Sequence, residues 1–375
     1  MKIPKFQLER FFARWEFAAP YLLCASDIEG WPMAELLALA DEETRALWDD
    51  LSLGYTEAAG HPLLRREIAS LYDAVAPEEV LVFAGAEEAI FVSLNVVLGP
   101  GDHALVTWPG YQSLHEVARA AGAEVDLLPL DPAAGWALDL DRVRALLRPT
   151  TRAIAVNFPH NPTGALPDAA TWQALVGLAH EAGVHLFCDE VYRFLEYAPA
   201  DRLPAAVDCD SRGVSLGVMS KSLALAGLRI GWIATHDAEL LHRLAAFKDY
   251  TTICNSAPSE ILALIALRAR ERVLARSRGI LERNLEHLDR FFRDWSGTFD
   301  WVRPRAGSVS FPRLLADVPI EYLTTELVEA EGVLLLPGSL FGYPANHFRL
   351  GFGRTNLPDA LVRLERFAAR RLANR

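Results

Sequence analysis

Long apolar runs are missing from this sequence: none approaches the roughly 20 consecutive apolar residues that cross a bilayer, so no membrane-spanning helix is expected. Cysteine is scarce, with 4 in 375 residues, at Cys24, Cys188, Cys209 and Cys254. None has CxxC spacing, which argues against a disulfide framework or a zinc ribbon and fits a reducing compartment. The 10 histidines form no HExxH, and His180 and His185 straddle a turn, so no metal site is expected. Neither GxGxxG after a strand nor GxxxxGK occurs, which removes the usual dinucleotide and P-loop readings. Basic clusters are absent as well, and the net charge is −12. Nucleic acids are therefore poor candidate partners, because phosphate backbones are held by gathered Lys and Arg. The first residues, MKIPKFQLERFFARWEF, mix charge into their apolar positions, unlike the apolar core of a secretion signal. A cytoplasmic location is expected.

What is present is a large apolar fraction, 51%, in a chain long enough for two lobes. Between about residues 80 and 235, short runs rich in Val, Ile, Leu and Phe alternate with longer amphipathic stretches, the pattern of βα units in a mostly parallel sheet. The strand candidates are Val80 to Ala84, Ala104 to Thr107, Ala153 to Phe158, Val184 to Cys188, Val214 to Met219 and Ile230 to Ala234. Helical patterns fill Ala86 to Leu98, Ala169 to Ala182 and Ala238 to Phe247, and one long segment from Ser259 to Trp295. Beyond it, SVSFPRLL and HFRLGFG read as strands of a smaller α+β lobe that the N-terminal residues join.

In open parallel sheets ligands bind beyond the carboxyl ends of the strands. The residues just after the apolar runs are Gly85 with Ala86 and Glu87, then PHNPTG, then DEVY, then SKS. Singly, each has an ordinary explanation: Gly85 as a joint, NPTG as a β-turn, Asp189 as a cap, Lys221 as a solvated charge. Together they place an amine, carboxylates, amides and a hydroxyl at one sheet edge. An ε-amine there becomes a useful nucleophile when burial lowers its pKa.

NPTG at 161–164, DEVY at 189–192 and SKSLALAGLRIGW at 220–232, in this order, resemble the class I/II aminotransferases of the fold type I pyridoxal 5′-phosphate (PLP) enzymes. YTEAAGHPLLRREIA and FRLGFGR extend the resemblance over about residues 50–354. It implies an α/β, aspartate aminotransferase-like fold: a mostly parallel seven-stranded sheet in a large domain, 46–285, and a smaller α+β domain from 1–45 and 286–375.

The resemblance also implies roles. Lys221 carries PLP as a Schiff base and moves the substrate proton; Asp189 faces the pyridine nitrogen; Tyr192 and Asn161 bond the ring oxygen; Tyr111 stacks on the ring. Gly85, Ala86, Glu87, Ser220 and Arg229 surround the phosphate, with Glu87 contributing its backbone because a carboxylate would repel a phosphate. Tyr55 reaches the phosphate of a neighbouring subunit, so a homodimer with shared active sites is implied. Arg349 grips the substrate carboxylate, Asn161 borders the substrate, and the N-terminal stretch SDIEGWPMAE lines the cleft, with Gly30 and Trp31 as the candidate contacts. The substrates are an L-amino acid and a 2-oxo acid, exchanged by a ping-pong route.

NFPHNPTGA is in addition similar to capreomycidine synthase, which cyclises a hydroxylated arginine, so a lyase, a cyclase or an arginine oxidase of the same fold stays open. His160 in that string is weighed as a packing residue before a catalytic acid. A PLP-binding sensor like the MocR regulators is disfavoured, since about fifty residues before Tyr55 are too few for a winged-helix domain.

Overall fold

The computed structural model describes residues 2–372. Seven strands build the principal sheet: β1 (Val80–Phe83), β2 (His103–Trp108), β3 (Glu124–Pro129), β4 (Thr151–Asn157), β5 (His185–Asp189), β6 (Gly213–Val218) and β7 (Gly231–Ala234). Their order is β1-β7-β6-β5-β4-β2-β3. All neighbours run parallel except β7, which is antiparallel to both β1 and β6. The inner strands are buried on both faces, as at Gly213–Val218. That is why they read as unbroken apolar runs instead of alternating ones. The aliphatic side chains so enclosed contribute about 1.5–3 kcal/mol each.

Strand β3 had no counterpart among the sequence candidates. It lies at the sheet edge, with Glu124 exposed and Val125, Asp126 and Leu127 half-buried. Charge on an edge strand blunts unwanted pairing, and the same charge hides the strand from an apolar search.

The long helix expected from Ser259 to Trp295 is instead two helices, Ala257–Arg268 and Arg270–Asp294, separated at Ala269 (φ −92°, ψ 18°). The first is enclosed along Glu260–Leu267, whereas the second buries one stripe, including Leu274, Leu281, Leu285 and Leu288. A helix surrounded by core and a helix lying on it need different axes. The break sits where one environment gives way to the other, without a Gly or Pro to announce it.

A second, three-stranded sheet is formed by Leu336–Pro337, Phe348–Gly351 and Val309–Ser310. N-terminal residues contact it: Tyr21 bridges Val333, and the Gly351 amide donates to the Leu23 carbonyl at 3.2 Å. Ahead of that strip, the helix Gln7–Trp15 packs against the turn Gly338–Phe341 and buries Leu8. Among the described residues no helix is long and apolar enough to cross a membrane, and no group of three or more His, Cys, Asp or Glu could hold a metal ion.

The register decides where side chains converge. Asn157 pairs with Asp189 at the ends of β4 and β5, and Asp189 pairs with Leu216 of β6. Because β7 runs the opposite way, its first residue, Gly231, lies opposite both Phe83 and Val218. The chain thus delivers Gly85, Lys221 and Arg229 to the same edge.

Candidate active site

At that edge lies a cavity of about 380 Å³, lined by Ala86, Glu87, Tyr111, Asn161, Asp189, Tyr192, Ser220, Lys221, Arg229 and Arg349 among others. Lys221 sits deep in it and donates from Nζ to the Ser26 hydroxyl at 2.8 Å. Burial pulls its pKa down to about 8, against an upward pull from Asp27. Asp189 is 4% exposed and pushed up to about 7 by burial. Only its Oδ1 is engaged, by the Val191 amide at 3.2 Å. The Asn157 amide donates to the Asp189 carbonyl at 2.8 Å while its Oδ1 receives the Asn161 backbone N–H at 2.7 Å, locking two site loops together.

Arg349, 1% exposed, comes from the second sheet. Its guanidinium donates twice to the Cys24 carbonyl, at 3.1 and 2.9 Å, and once to Asn161 Oδ1 at 3.2 Å. No carboxylate of the described residues pairs with it. A buried cation held only by neutral oxygens has the chemistry to receive a small carboxylate.

Opposite lies an anion cup. Gly85 adopts φ +91°, a backbone conformation that favours glycine, and a Cβ there would stand 2.6 Å from Arg229 Nη2 and push the guanidinium aside. Arg229 itself is left-handed, at φ 53°, a conformation that costs a non-glycine residue energy and is held by its surroundings. The helix Ala86–Val97 opens here with free backbone N–H groups.

The family model for "Aminotransferase class I and II" matches residues 23–363. The chain belongs to the class I and II aminotransferase family. It is 31% identical to capreomycidine synthase of Streptomyces vinaceus, over 93% of this chain and 90% of that protein. It is 32% identical to the arginine–pyruvate transaminase of Pseudomonas aeruginosa, over 84% and 82%. Among solved structures, a PLP-dependent aminotransferase from Streptococcus suis superposes with a TM-score of 0.93 at 33% identity, covering 99% of each chain.

PLP is the cofactor of this class I and II aminotransferase, and the residues fit it. The cup formed by Gly85, Arg229 and the helix start suits a phosphate, the unengaged Asp189 Oδ2 suits a protonated ring nitrogen, and Lys221 is the amine within the same cavity.

Tyr55, expected to serve a neighbouring subunit, is 91% exposed and lines no part of this chain's own cavity. Two expected neighbours stand elsewhere. Gly30 and Trp31 lie outside the lining; Arg276 donates to the Gly30 carbonyl at 3.4 Å and covers the Trp31 ring at 4.8 Å. His160 is fully buried and outside the cavity too, its Nδ1 2.8 Å from Thr163 Oγ1, with its pKa lowered to about 3 by burial. That makes it a neutral packing residue. The Glu87 side chain, expected to turn away, instead lines the cavity and accepts from the Ser113 hydroxyl.

Sequence reasoning missed Leu8, Glu9, Phe12, Glu16 and Asn157, all in the lining, whereas Ser26 and Asp27 open the SDIEGWPMAE stretch expected at the cleft and do line it. Asn157, as the last residue of an apolar run, was within reach of the strand-end rule. The N-terminal group carried no signal, because its helix reaches the cavity only through the tertiary fold.

Proposed function

We propose that this enzyme transfers the α-amino group of an L-amino acid to a 2-oxo acid in a ping-pong reaction, with PLP held by Lys221. The observation that carries the reading is that Lys221, Asp189 and an Arg349 lacking any carboxylate partner line one cavity. PLP, when bound, supplies an aldehyde for the amino nitrogen and a ring that accepts the electron pair left on Cα.

The protein does the rest. Arg349 fixes the α-carboxylate by a guanidinium fork, which orients the Cα–H bond. Lys221, with its pKa near 8, is partly neutral at pH 7 to 8 and so can take that proton from Cα and return it to the other carbon. Asp189, in the ionised form that a facing cation favours, keeps the ring nitrogen protonated. Tyr192 donates to the Ser26 carbonyl at 3.0 Å, and Ser308 donates to it at 2.8 Å, holding the segment that carries Asp27. Leu8 and Phe12 line part of the cavity with apolar surface.

Glu9 and Glu16 face the cavity without a hydrogen bond or ion pair to any described residue, and Asp27 is paired with Arg354 at 2.9 Å. Burial and the charges of Asp27 and Glu9 push the Glu16 carboxyl up. A cationic substrate side chain would relieve that repulsion, which favours a guanidino or ammonio amino acid; the arginine–pyruvate transaminase relative supports this.

Similarity to capreomycidine synthase favours a second reading, in which the electron pair at Cα is diverted into elimination or ring closure. Incubating the holoenzyme with a panel of amino acids separates the two. Transamination gives one 2-oxo acid per amino group transferred and parallel initial-rate lines; intersecting lines, ammonia release, a cyclic product or oxygen uptake would overturn it. We further assign 46–285 to the cofactor lobe and 1–45 with 286–375 to the substrate-carboxylate lobe, and read the exposed Tyr55 as completing the cup of a second copy in a homodimer.

A further inference from the structure

Glu87 is an acid in a cup built for an anion. It follows Ala86 at the start of the helix Ala86–Val97, where the backbone N–H groups and Arg229 make the local field positive. A side chain there would be expected to supply a donor, yet this one is a carboxyl and points inward. Its Oε1 accepts from the Ser113 hydroxyl. The Tyr111 hydroxyl stands against the same carboxyl. Its Oε2 is buried and makes no hydrogen bond to any described residue.

The orphan oxygen decides the protonation state. An ionised carboxylate needs donors on both oxygens once water is removed, and only one oxygen has them here. A proton on Oε2 removes the deficit and turns that oxygen into a donor. The charged and titratable groups facing Glu87 are Glu9 from the N-terminal helix, Tyr111 after β2, Asp189 from β5 and Arg229 before β7. The neighbouring Glu88 is turned to other partners, accepting the Ala84 amide at 2.5 Å and the Thr252 hydroxyl at 2.8 Å. Burial, with Glu9, pushes the Glu87 carboxyl up, while Ser113, Tyr111 and Arg229 pull it down, and the net direction is upward.

We propose that Glu87 is a positioning residue for the cofactor phosphate that works as a neutral acid: its carboxyl, held between Tyr111 and Ser113, accepts a neighbouring phosphate dianion only while it carries a proton. This rests on reading the cup as the phosphate seat. It follows that phosphate binding and Glu87 protonation are linked, and that cofactor affinity falls as pH rises through the carboxyl's pKa. It follows too that the proton keeps the Tyr111 ring fixed, since the carboxyl can donate as well as accept.

The probe is pyridoxamine 5′-phosphate, which forms no covalent bond with Lys221, titrated into the cofactor-free full chain from pH 5.5 to 9. Binding is read by tryptophan fluorescence in the native protein and in Glu87→Gln, which mimics the neutral acid at every pH. The ratio of native to variant Kd is expected to be near one at the acid end, then to climb roughly tenfold per pH unit past the native pKa. A ratio that stays flat would overturn the proposal while leaving the phosphate seat intact. If the native chain binds the probe no better than unphosphorylated pyridoxamine, the seat itself is wrong and the proposal goes with it. Ser113→Ala is the second variant, useful if Glu87→Gln fails to fold. Loss of a donor to the ionised form should move the onset of weakening in the native background to higher pH, and an unmoved onset would count against the linkage.

Discussion

Arg349 donates through Nη1 to Asn161 Oδ1 at 3.2 Å, tying the second sheet to the loop that leaves β4. The two residues are 188 apart in sequence, so this contact exists only when the two sheets are packed together, and the proposed carboxylate seat depends on it. Arg349→Ala is therefore expected to lower kcat/KM for amino acids by about 2–5 kcal/mol, as when one member of a buried charge pair is removed. Arg349→Lys should recover only part of it, because an ammonium cannot make the fork. Steady-state kinetics on both variants checks this; unchanged kcat/KM would dismiss Arg349 as the carboxylate anchor.

In the proposed reaction Asp189 is held ionised by the protonated ring nitrogen of the cofactor, against the upward push of burial. Asp189→Ala is expected to cut kcat by the equivalent of about 3–5 kcal/mol, the cost of leaving a buried partner unpaired, even in preparations that retain PLP. Near-normal kcat with full cofactor occupancy would remove Asp189 from the role.

Lys221 titrates near 8 in the cofactor-free chain, because burial outweighs the attraction of Asp27. The neutral amine is the reactive form, so the rate at which the chain captures PLP covalently should rise with pH and level off above about 8, far below the ordinary lysine range. Stopped-flow absorbance across pH measures it. Borohydride reduction followed by peptide mapping should place the label on Lys221 and nowhere else.

Glu9 and Glu16 lack partners of their own. Neutralising either one, as Glu9→Gln or Glu16→Gln, is expected to raise KM for arginine-like substrates by about 1 kcal/mol or less per carboxylate, the scale of a solvent-screened pair. KM for a neutral amino acid of similar length should stay put. Equal effects on both substrates would mean that the two carboxylates do not read side-chain charge.

Tyr55 stands clear of its own cavity. Mixing Tyr55→Ala protein with Lys221→Ala protein should restore activity if hybrid dimers regain one site in which both residues are native. Sedimentation should show a particle of two 41.5 kDa chains. A monomer, or no recovery on mixing, would count against a shared site.

Much of the site was legible because its chemistry sits at strand ends. Parallel strands buried on both faces, such as β4 and β6, leave uniform apolar runs, and the residues that follow them, Asn161 and Lys221, must lie at one edge. The helix Ala169–Ala182 was readable to the residue, since Asp168 caps its start and Gly183, at φ 66°, ends it. Local sequence thus determined the inner strands, the helices between them and the identity of the groups at the edge.

Only the tertiary structure decided what faces them. Strand β3 pairs at an exposed edge, where burial no longer selects apolar residues. The turn at Ala269 follows a change of surroundings and has no local breaker. The Gln7–Trp15 helix and its C-cap bring Glu9, Phe12 and Glu16 onto a cavity whose lysine lies some two hundred positions away, and Arg349 lacks a carboxylate partner because no acidic side chain of the described residues is folded against it. Contacts between distant segments depend on how whole elements pack, and no periodicity within a window of residues encodes them.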